Sequence, residues 1–302
     1  MDWITGIQNA INYMEEHLLE EIDYEEVAKQ SYSSNYHFQR VFGILCGYTV
    51  GEYIRNRRLS LAGMELQTGK AKVIDVALKY GYDSPDSFAK AFQKFHGITP
   101  SNARTDGAVL HSFSRLSLKL SLEGGKTMNY RMEEKRELTL VGYKKHFTGT
   151  PAARCDQEAE FYGETRINQY ILKGMSRDCD TIYNVINGFD DEGYDFYIAA
   201  KLGVEDTENL GELLGEQEKD RFERITVPAG LYLICETERE RYPVMQIEEL
   251  RRKVVSEWLP SSGYELSDAP EVAIVHWFYE EGNDVVNDSR YVELWLPVEK
   301  VS

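Results

Sequence analysis

Residues 84–100, SPDSFAKAFQKFHGITP, decide how this chain is read. Serine followed by proline is a helix start: the serine hydroxyl accepts a backbone N–H of the first turn, and proline at the first helical position forfeits no hydrogen bond. Phe88, Ala91, Phe92 and Phe95 then recur at the i, i+3, i+4, i+7 spacing of one buried helix face. Upstream, Val73 to Tyr80 has the pattern of a shorter helix, and Gly81-Tyr82-Asp83 that of a turn. Two helices joined by a short glycine-containing turn make a helix-turn-helix, whose second helix enters the major groove of DNA.

The pattern occurs twice. Phe88-x-Lys90-x-Phe92 and Gly97-Ile98-Thr99-Pro100 repeat Phe38-x-Arg40-x-Phe42 and Gly47-Tyr48-Thr49 at a distance of fifty residues, whereas Val76-Ala77 repeat Val27-Ala28 at forty-nine. The copies therefore differ by one residue in the turn between their helices. In the first copy a helix from Tyr24 to Ser31, with Asp23 as N-cap, precedes one running from Ser33-Ser34 to about Cys46. A helix from Val50 to Leu66, carrying Arg55, Arg57 and Arg58, joins the copies. One such pattern fits an ordinary helical bundle; two, so joined, are expected to present recognition helices to successive major grooves, roughly 34 Å apart.

Charge is laid out accordingly. The 302 residues sum to −17, which taken whole discourages binding to phosphates. Yet residues 27–105 hold eleven basic and five acidic residues, between an acidic first 26 residues and an acidic remainder. A local docking face for DNA survives inside an acidic chain. No apolar run approaches the ~18 residues of a membrane span, and MDWITGIQNA lacks the order of a targeting segment, so a cytoplasmic location and no membrane partner are expected. Cys46, Cys155, Cys179 and Cys235 are far apart and are expected as free thiols, without a disulfide framework or zinc site. No cofactor is expected.

SNYHFQRVFGILCGYTVGEYIRNRRL and VIDVALKYGYDSPDSFAKAFQKFHGITPSNAR resemble the DNA-binding domain of the AraC/XylS transcription regulators, over about residues 5–105. The resemblance implies double-stranded promoter DNA as partner. It places base-reading residues at Asn35, Tyr36, Gln39 and Arg40 in the first recognition helix, and at Pro85, Asp86, Ser87, Ala89 and Lys90 in the second. The chemistry agrees for Gln39 and Arg40, whose side chains can pair with adenine and guanine edges. Asp86 serves the helix dipole equally well. Arg55 to Arg58 and Leu78-Lys79-Tyr80 are expected as phosphate contacts or solvated faces.

From about Leu116 the period changes to two. Leu116, Leu118, Leu120 and Leu122 alternate with polar residues, Glu123-Gly124-Gly125-Lys126 has the composition of a hairpin loop, and Met128 begins another strand. Strands follow at Leu138–Phe147, Asp180–Phe189, Tyr194–Leu202, Phe222–Thr237, Val272–Glu280 and Tyr291–Val298, with helices over Ala152–Met175 and Pro243–Trp258. The order is strand, helix, strand, strand, twice over. The fold class expected is an all-α N-terminal domain with two helix-turn-helix motifs, followed by an α+β domain with an antiparallel sheet and two helices on one face. The boundaries are 1–106, a connector with a first strand over 107–127, and 128–302.

The last strand, YVELWLPV, sets Glu293 between Tyr291 and Trp295 on one face, opposite Val292, Leu294 and Leu296. If aromatic faces coincide, Tyr232, Trp277 and Tyr279 join them around the acid. Rings and a carboxylate together suit a flat organic cation: the rings attract it and the acid neutralises it. MNYRMEEKRELTLVGYKKHF, FERITVPAGLYLICE and YVELWLPV resemble the GyrI-like, or SHS2-type, effector-binding domain. That implies a ligand-responsive regulator, multidrug-type in some members, with an amphipathic and cationic small molecule as effector. Two alternatives stay open for the second domain. One is a small-molecule hydrolase with Glu293 as general acid or base. The other is an interaction module whose aromatic face meets RNA polymerase or a partner chain.

Overall fold

The computed structural model describes residues 3–301 apart from 70, 118–127, 150, 177, 179, 191, 203–221 and 278–287. The chain divides into two compact units, the first chiefly residues 1–42 and 48–122, the second chiefly 123–302.

The first unit is helical. Helix α1 (Trp3–Glu16) precedes α2 (Tyr24–Gln30), α3 (Asn35–Cys46), α4 (Val50–Gln67), α5 (Val73–Lys79), α6 (Pro85–His96) and a 3-10 turn at Asn102–Arg104. The caps explain the boundaries. Asp23 accepts from Glu25 N at 2.9 Å, Thr49 and Glu52 form a reciprocal capping box, and Ser84 accepts from Ser87 N at 3.2 Å. Gly97, in the left-handed region at φ 76°, ends α6. The aromatic stripes are buried: Phe38 and Phe42 pack with Tyr53 of α4, and Phe88 packs with Phe92 beneath the other end of α4, each fully buried ring contributing about 1.5–3 kcal/mol. At Gly63 a Cβ would come within 2.7 Å of the His96 ring, so only glycine lets α4 approach the end of α6.

Alpha-helix α4 is the spine of this unit, and Arg57 and Arg58 tie it to its neighbours. Arg57 grips Glu15 with two parallel hydrogen bonds (2.7 and 2.9 Å) and donates to the Phe113 carbonyl at 2.5 Å. Arg58 donates to the carbonyls of Leu18 and Glu20 at 2.7 and 2.6 Å, where the chain leaves α1. Burial alone would raise the Glu15 carboxyl; hydrogen bonds from Arg57 and Tyr53 outweigh it and hold the group below its usual range. Lys79 and Tyr80 likewise turn to Glu65, at 2.7 and 3.1 Å. In the free protein Arg57, Arg58, Lys79 and Tyr80 are thus engaged in structural contacts. Residues 107–117 form no strand. They run irregularly along α4, with Phe113 N donating to Ser60 Oγ at 3.0 Å and Leu116 N to the Tyr53 hydroxyl at 3.3 Å. The expected hairpin loop at 123–126 lies outside the described residues.

The second unit is one large sheet with helices. Its elements are β1 (Tyr130–Lys135), β2 (Leu138–Thr148), α7 (Pro151–Glu164), α8 (Arg166–Met175), β3 (Thr181–Asn187), β4 (Gly193–Ala200), β5 (Phe222–Val227) and β6 (Gly230–Glu236). A 3-10 turn (Pro243–Gln246), α9 (Ile247–Lys253), a π-helical turn (Val254–Trp258) and α10 (Leu259–Ser262) follow, then β7 (Tyr264–Leu266), β8 (Glu271–His276) and β9 (Tyr291–Lys300). The strand order is β1-β6-β9-β8-β3-β4-β2-β5, with β7 added on β9, and every described ladder is antiparallel. The expected duplication is present: β2-β4-β3 and β6-β9-β8 are equivalent triplets meeting at the β3–β8 pair.

Only two residues separate β1 from β2, and two separate β5 from β6. In a flat sheet the first and seventh strands would lie about 29 Å apart at ~4.8 Å per strand, yet three residue steps span at most about 11 Å. The sheet must curl until its ends are bridged by these two links. Its inner face is then filled by its own side chains: Leu140, Val185, Tyr197, Ile225, Tyr232, Ile234, Val272, Ile274 and Trp295 form one buried cluster. The opposite face packs on the helices through Tyr143, Phe147, Phe161, Leu172 and Phe196.

Candidate nucleic-acid interface and effector site

The two recognition helices present their predicted residues differently. On α6, Pro85, Asp86, Ser87 and Lys90 are exposed and Ala89 is half-buried, with the exposed Gln93 and Lys94 one turn further along. On α3, Asn35, Tyr36 and Gln39 are half-buried and paired within the helix, Gln39 Nε2 donating to Asn35 Oδ1 at 3.0 Å. Arg40 departs from the outward orientation expected of a base reader. It is 1% exposed, its Nη1 donates to the Tyr36 hydroxyl at 3.4 Å, and its guanidinium carbon lies 5.6 Å from the Tyr36 ring centroid. Arginine's long stem permits this by folding back one turn. Burial, assisted by the Arg40 charge, pushes neighbouring His37 down to about 4.

In the second unit the ladders decide which side chains share a face. Tyr232, Tyr291, Glu293 and Trp295 all project from the inner face, as expected, and Tyr232 and Trp295 lie 6.0 Å apart between ring centroids. Trp277 does not join them. The register pairs Ile274 with Glu293 and His276 with Tyr291, so the even-numbered residues of β8 share Glu293's face and Trp277 falls outside the strand on the opposite parity. Its ring carries the Arg290 guanidinium at 4.8 Å instead. His276 takes the vacated place, stacked on Tyr291 with centroids 4.3 Å apart and planes 9° off parallel. Tyr279 lies outside the described residues.

Glu293 is also not an acid waiting among rings. Arg131, from β1, donates through Nη2 to Glu293 Oε2 at 2.6 Å, through Nη1 to Glu236 at 2.8 Å and through Nε to Glu133 at 2.5 Å. Trp295 Nε1 donates to the other Glu293 oxygen. Lys135 donates to Glu133 at 2.6 Å and places its ammonium 4.2 Å from the Trp295 ring centroid. The Glu293 side chain is 12% exposed, against 40% for Arg131. The arrangement can hold a positive charge against a carboxylate beside aromatic faces, and here a guanidinium does so. The other half of the sheet repeats it in outline. Asp195 and Tyr197 occupy the places of Glu293 and Trp295, and Lys144 pairs with Asp195 at 3.1 Å and lies 5.9 Å from the Tyr197 ring. Among the described residues no cluster of His, Cys, Asp and Glu could hold a metal ion, and no helix is long and apolar enough to cross a membrane.

A GyrI-like small molecule binding domain matches residues 128–299, more than half of the chain, and a helix-turn-helix domain matches residues 27–106. The chain belongs to the AraC-type transcription regulators with a C-terminal GyrI-like domain. The transcriptional activator AarP of Providencia stuartii is 43% identical over 95 residues, which cover 32% of this chain and 70% of AarP. The regulatory protein SoxS of Salmonella typhimurium is 39% identical over 98 residues, 32% of this chain and 92% of SoxS. A solved structure of SAV2435 bound to tetraphenylphosphonium covers 57% of this chain and 94% of its own at 17% identity, with a TM-score of 0.41. As an AraC-type regulator the chain binds DNA, and its GyrI-like domain binds small molecules. Beside the expected residues the structure places Gln93 and Lys94 on the exposed face of α6, and Arg131, Glu133, Glu236 and His276 around Glu293 and Tyr291 on the sheet. A signal existed for two of them: RMEEK alternates Arg131, Glu133 and Lys135 on one face of a strand.

Proposed function

We propose that this regulator senses an amphipathic organic cation at Glu293 and alters promoter occupancy in response. Residues 1–106 carry the DNA-reading part, 128–302 the effector part, and 107–127 join them. The observation that carries the effector assignment is the shared face of Glu293, Trp295, Tyr291 and Tyr232, on which a partly buried carboxylate stands between aromatic rings. A cation docking there gains ring attraction and a counter-charge together, whereas a neutral ligand gains burial alone. For the DNA half, α3 and α6 supply Asn35, Tyr36, Gln39 and Arg40, and Pro85, Asp86, Ser87, Ala89 and Lys90, to two successive grooves. Sequence discrimination falls to Gln39 and Arg40, since amide and guanidinium groups make bidentate pairs with base edges. The test is a titration of the fluorescent lipophilic cation rhodamine 6G into wild type and Glu293→Gln at neutral pH. Weaker binding by the variant is expected, and equal affinities would remove Glu293 from the effector site.

A further inference from the structure

We propose that Arg131 is a built-in competitor for the effector: its guanidinium holds Glu293 in the ligand-free protein, and a cationic effector binds by taking Glu293 from it. This rests on the effector reading of Glu293 given above. Three features of the geometry carry it. Arg131 reaches three carboxylates at once, those of Glu133, Glu236 and Glu293, so losing Glu293 leaves it two partners on the same strand pair. The change is therefore a swing of one side chain and not the stranding of a charge. Second, Arg131 is the more exposed partner (40% against 12%), so it can move toward solvent while Glu293 stays seated beside Trp295. Third, Lys135 already lies over the Trp295 ring, so both attractions that an aromatic cation would use, ring and carboxylate, are occupied by protein cations.

Such competition selects among ligands. Partly exposed ion pairs contribute only up to about 1 kcal/mol each, so a cation that adds apolar burial to its charge can outbid Arg131, while a small hydrated cation has nothing to add. A neutral aromatic molecule leaves the pair intact. The swing also has a structural consequence. Arg131 ties edge strand β1 across β6 to β9, through Glu236 and Glu293. Since β1 is the first strand after residues 107–127, cation binding loosens the element that follows the connector from the DNA-reading part.

The experiment uses the full chain. Rhodamine 6G is titrated by fluorescence anisotropy into wild type, Arg131→Met, Arg131→Lys and Glu293→Gln, with the neutral probe N-phenyl-1-naphthylamine as the uncharged arm. Arg131→Met should bind rhodamine 6G about tenfold more tightly, equivalent to ~1.4 kcal/mol, Arg131→Lys should fall between, and the neutral probe should not distinguish them. Hydrogen exchange of Tyr130–Lys135 in wild type, which needs no variant to fold, should accelerate on adding rhodamine 6G. If Arg131→Met binds the cation no better while Glu293→Gln still binds it worse, or if β1 exchange is unmoved by bound cation, the competitor role is overturned and the effector site stands. If Glu293→Gln also binds as well as wild type, the effector assignment falls with it.

Discussion

The two helix-turn-helix units are built on one plan and differ where the plan is most demanding. After α2, Tyr32 N donates to Lys29 O at 3.1 Å and Ser33 N to Ala28 O at 3.4 Å; after α5, Gly81 N donates to Leu78 O at 3.1 Å and Tyr82 N to Ala77 O at 3.0 Å. Both are the same helix-ending motif, which requires a left-handed residue, and both have one: Tyr32 at φ 57° and Gly81 at φ 81°. Glycine adopts that conformation freely, whereas a side chain costs about 1–2 kcal/mol there. The second copy thus has a relaxed turn and exposed side chains along α6, and the first a strained turn and α3 side chains folded on one another. Similar topology does not impose similar duty: in the proposed reading Gln39 and Arg40 discriminate bases, whereas Lys90 on the second helix is a point charge suited to holding the duplex in place.

The largest expected effect comes from breaking the relaxed turn. Gly81→Val puts a β-branched residue at a left-handed φ, and any Cβ there meets Arg58 Nη1 at 2.8 Å, an atom tied down through the guanidinium's bonds to Leu18 and Glu20. We expect a loss of about 2–3 kcal/mol in urea unfolding. A variant as stable as wild type would show that the two turns are not held to the same geometry.

Next in size is Arg40→Ala, which should weaken specific promoter binding by about 1–3 kcal/mol and narrow the gap between specific and nonspecific DNA. Since Arg40 rests on Tyr36 in the free protein, some of its contact energy is offset by leaving that position. An unchanged specificity ratio, measured at one fixed salt concentration, would mean that Arg40 keeps its buried place on DNA and serves only to pack α3.

How far these differences could be read in the sequence depends on their range. The repeat revealed α2 to α6 because local caps and stripes specify each helix, and even the one-residue difference between turns was legible: Tyr82-Asp83 stand where the first copy has Ser33 alone. The partners of Arg57 and Arg58 were not, because Glu15, Leu18 and Glu20 lie about forty residues upstream and no local pattern announces them. The same limit explains the sheet. Period two assigns Glu293 and Trp295 to one face of β9 and Trp277 to one face of β8, but which faces coincide is a matter of register, set by pairing between strands. Arg131, 162 residues from Glu293, could be seen only as one charge in an alternating strand.

A pH-dependent difference is expected at the ends of the recognition helices, where His96 in the second copy matches Cys46 in the first. His96 Nδ1 accepts from His111 N at 3.2 Å, leaving Nε2 to donate to Leu59 O at 3.0 Å, so the ring is neutral. Burial holds it below its ordinary value near 6.5. The native state therefore binds fewer protons than the unfolded chain between about 6.5 and its own lower value: the stability contribution is complete above about 6.5 and is lost as pH falls from there through the lowered native value. Cys46, pushed up to about 12 by burial, stays uncharged throughout. Thermal unfolding from pH 7.5 to 5.5 should fall less steeply for His96→Gln than for wild type; parallel curves would assign the acid sensitivity elsewhere.

Relaxing the strained turn is the converse of breaking the relaxed one, and should gain less. Tyr32 is 70% exposed, so Tyr32→Gly removes little packing while relieving the left-handed backbone. The gain is reduced because glycine also frees the unfolded chain, leaving about 0.5–1 kcal/mol of stabilisation. A loss instead would show that the Tyr32 ring holds something that the turn alone does not require.

The smallest effect should be that of Lys90→Ala. If α6 chiefly positions the duplex, removing its exposed ammonium takes away about one phosphate contact, lowering affinity almost equally for specific and unrelated DNA and reducing the slope of log K against log salt by about 1. Affinity measured at several salt concentrations separates this from base reading, because a lost base contact changes the specificity ratio and leaves the slope alone. Should Lys90→Ala instead discriminate between promoter variants, the second helix would be reading sequence through that side chain, and the division of labour between the two copies would have to be drawn between Arg40 and Lys90 as equals.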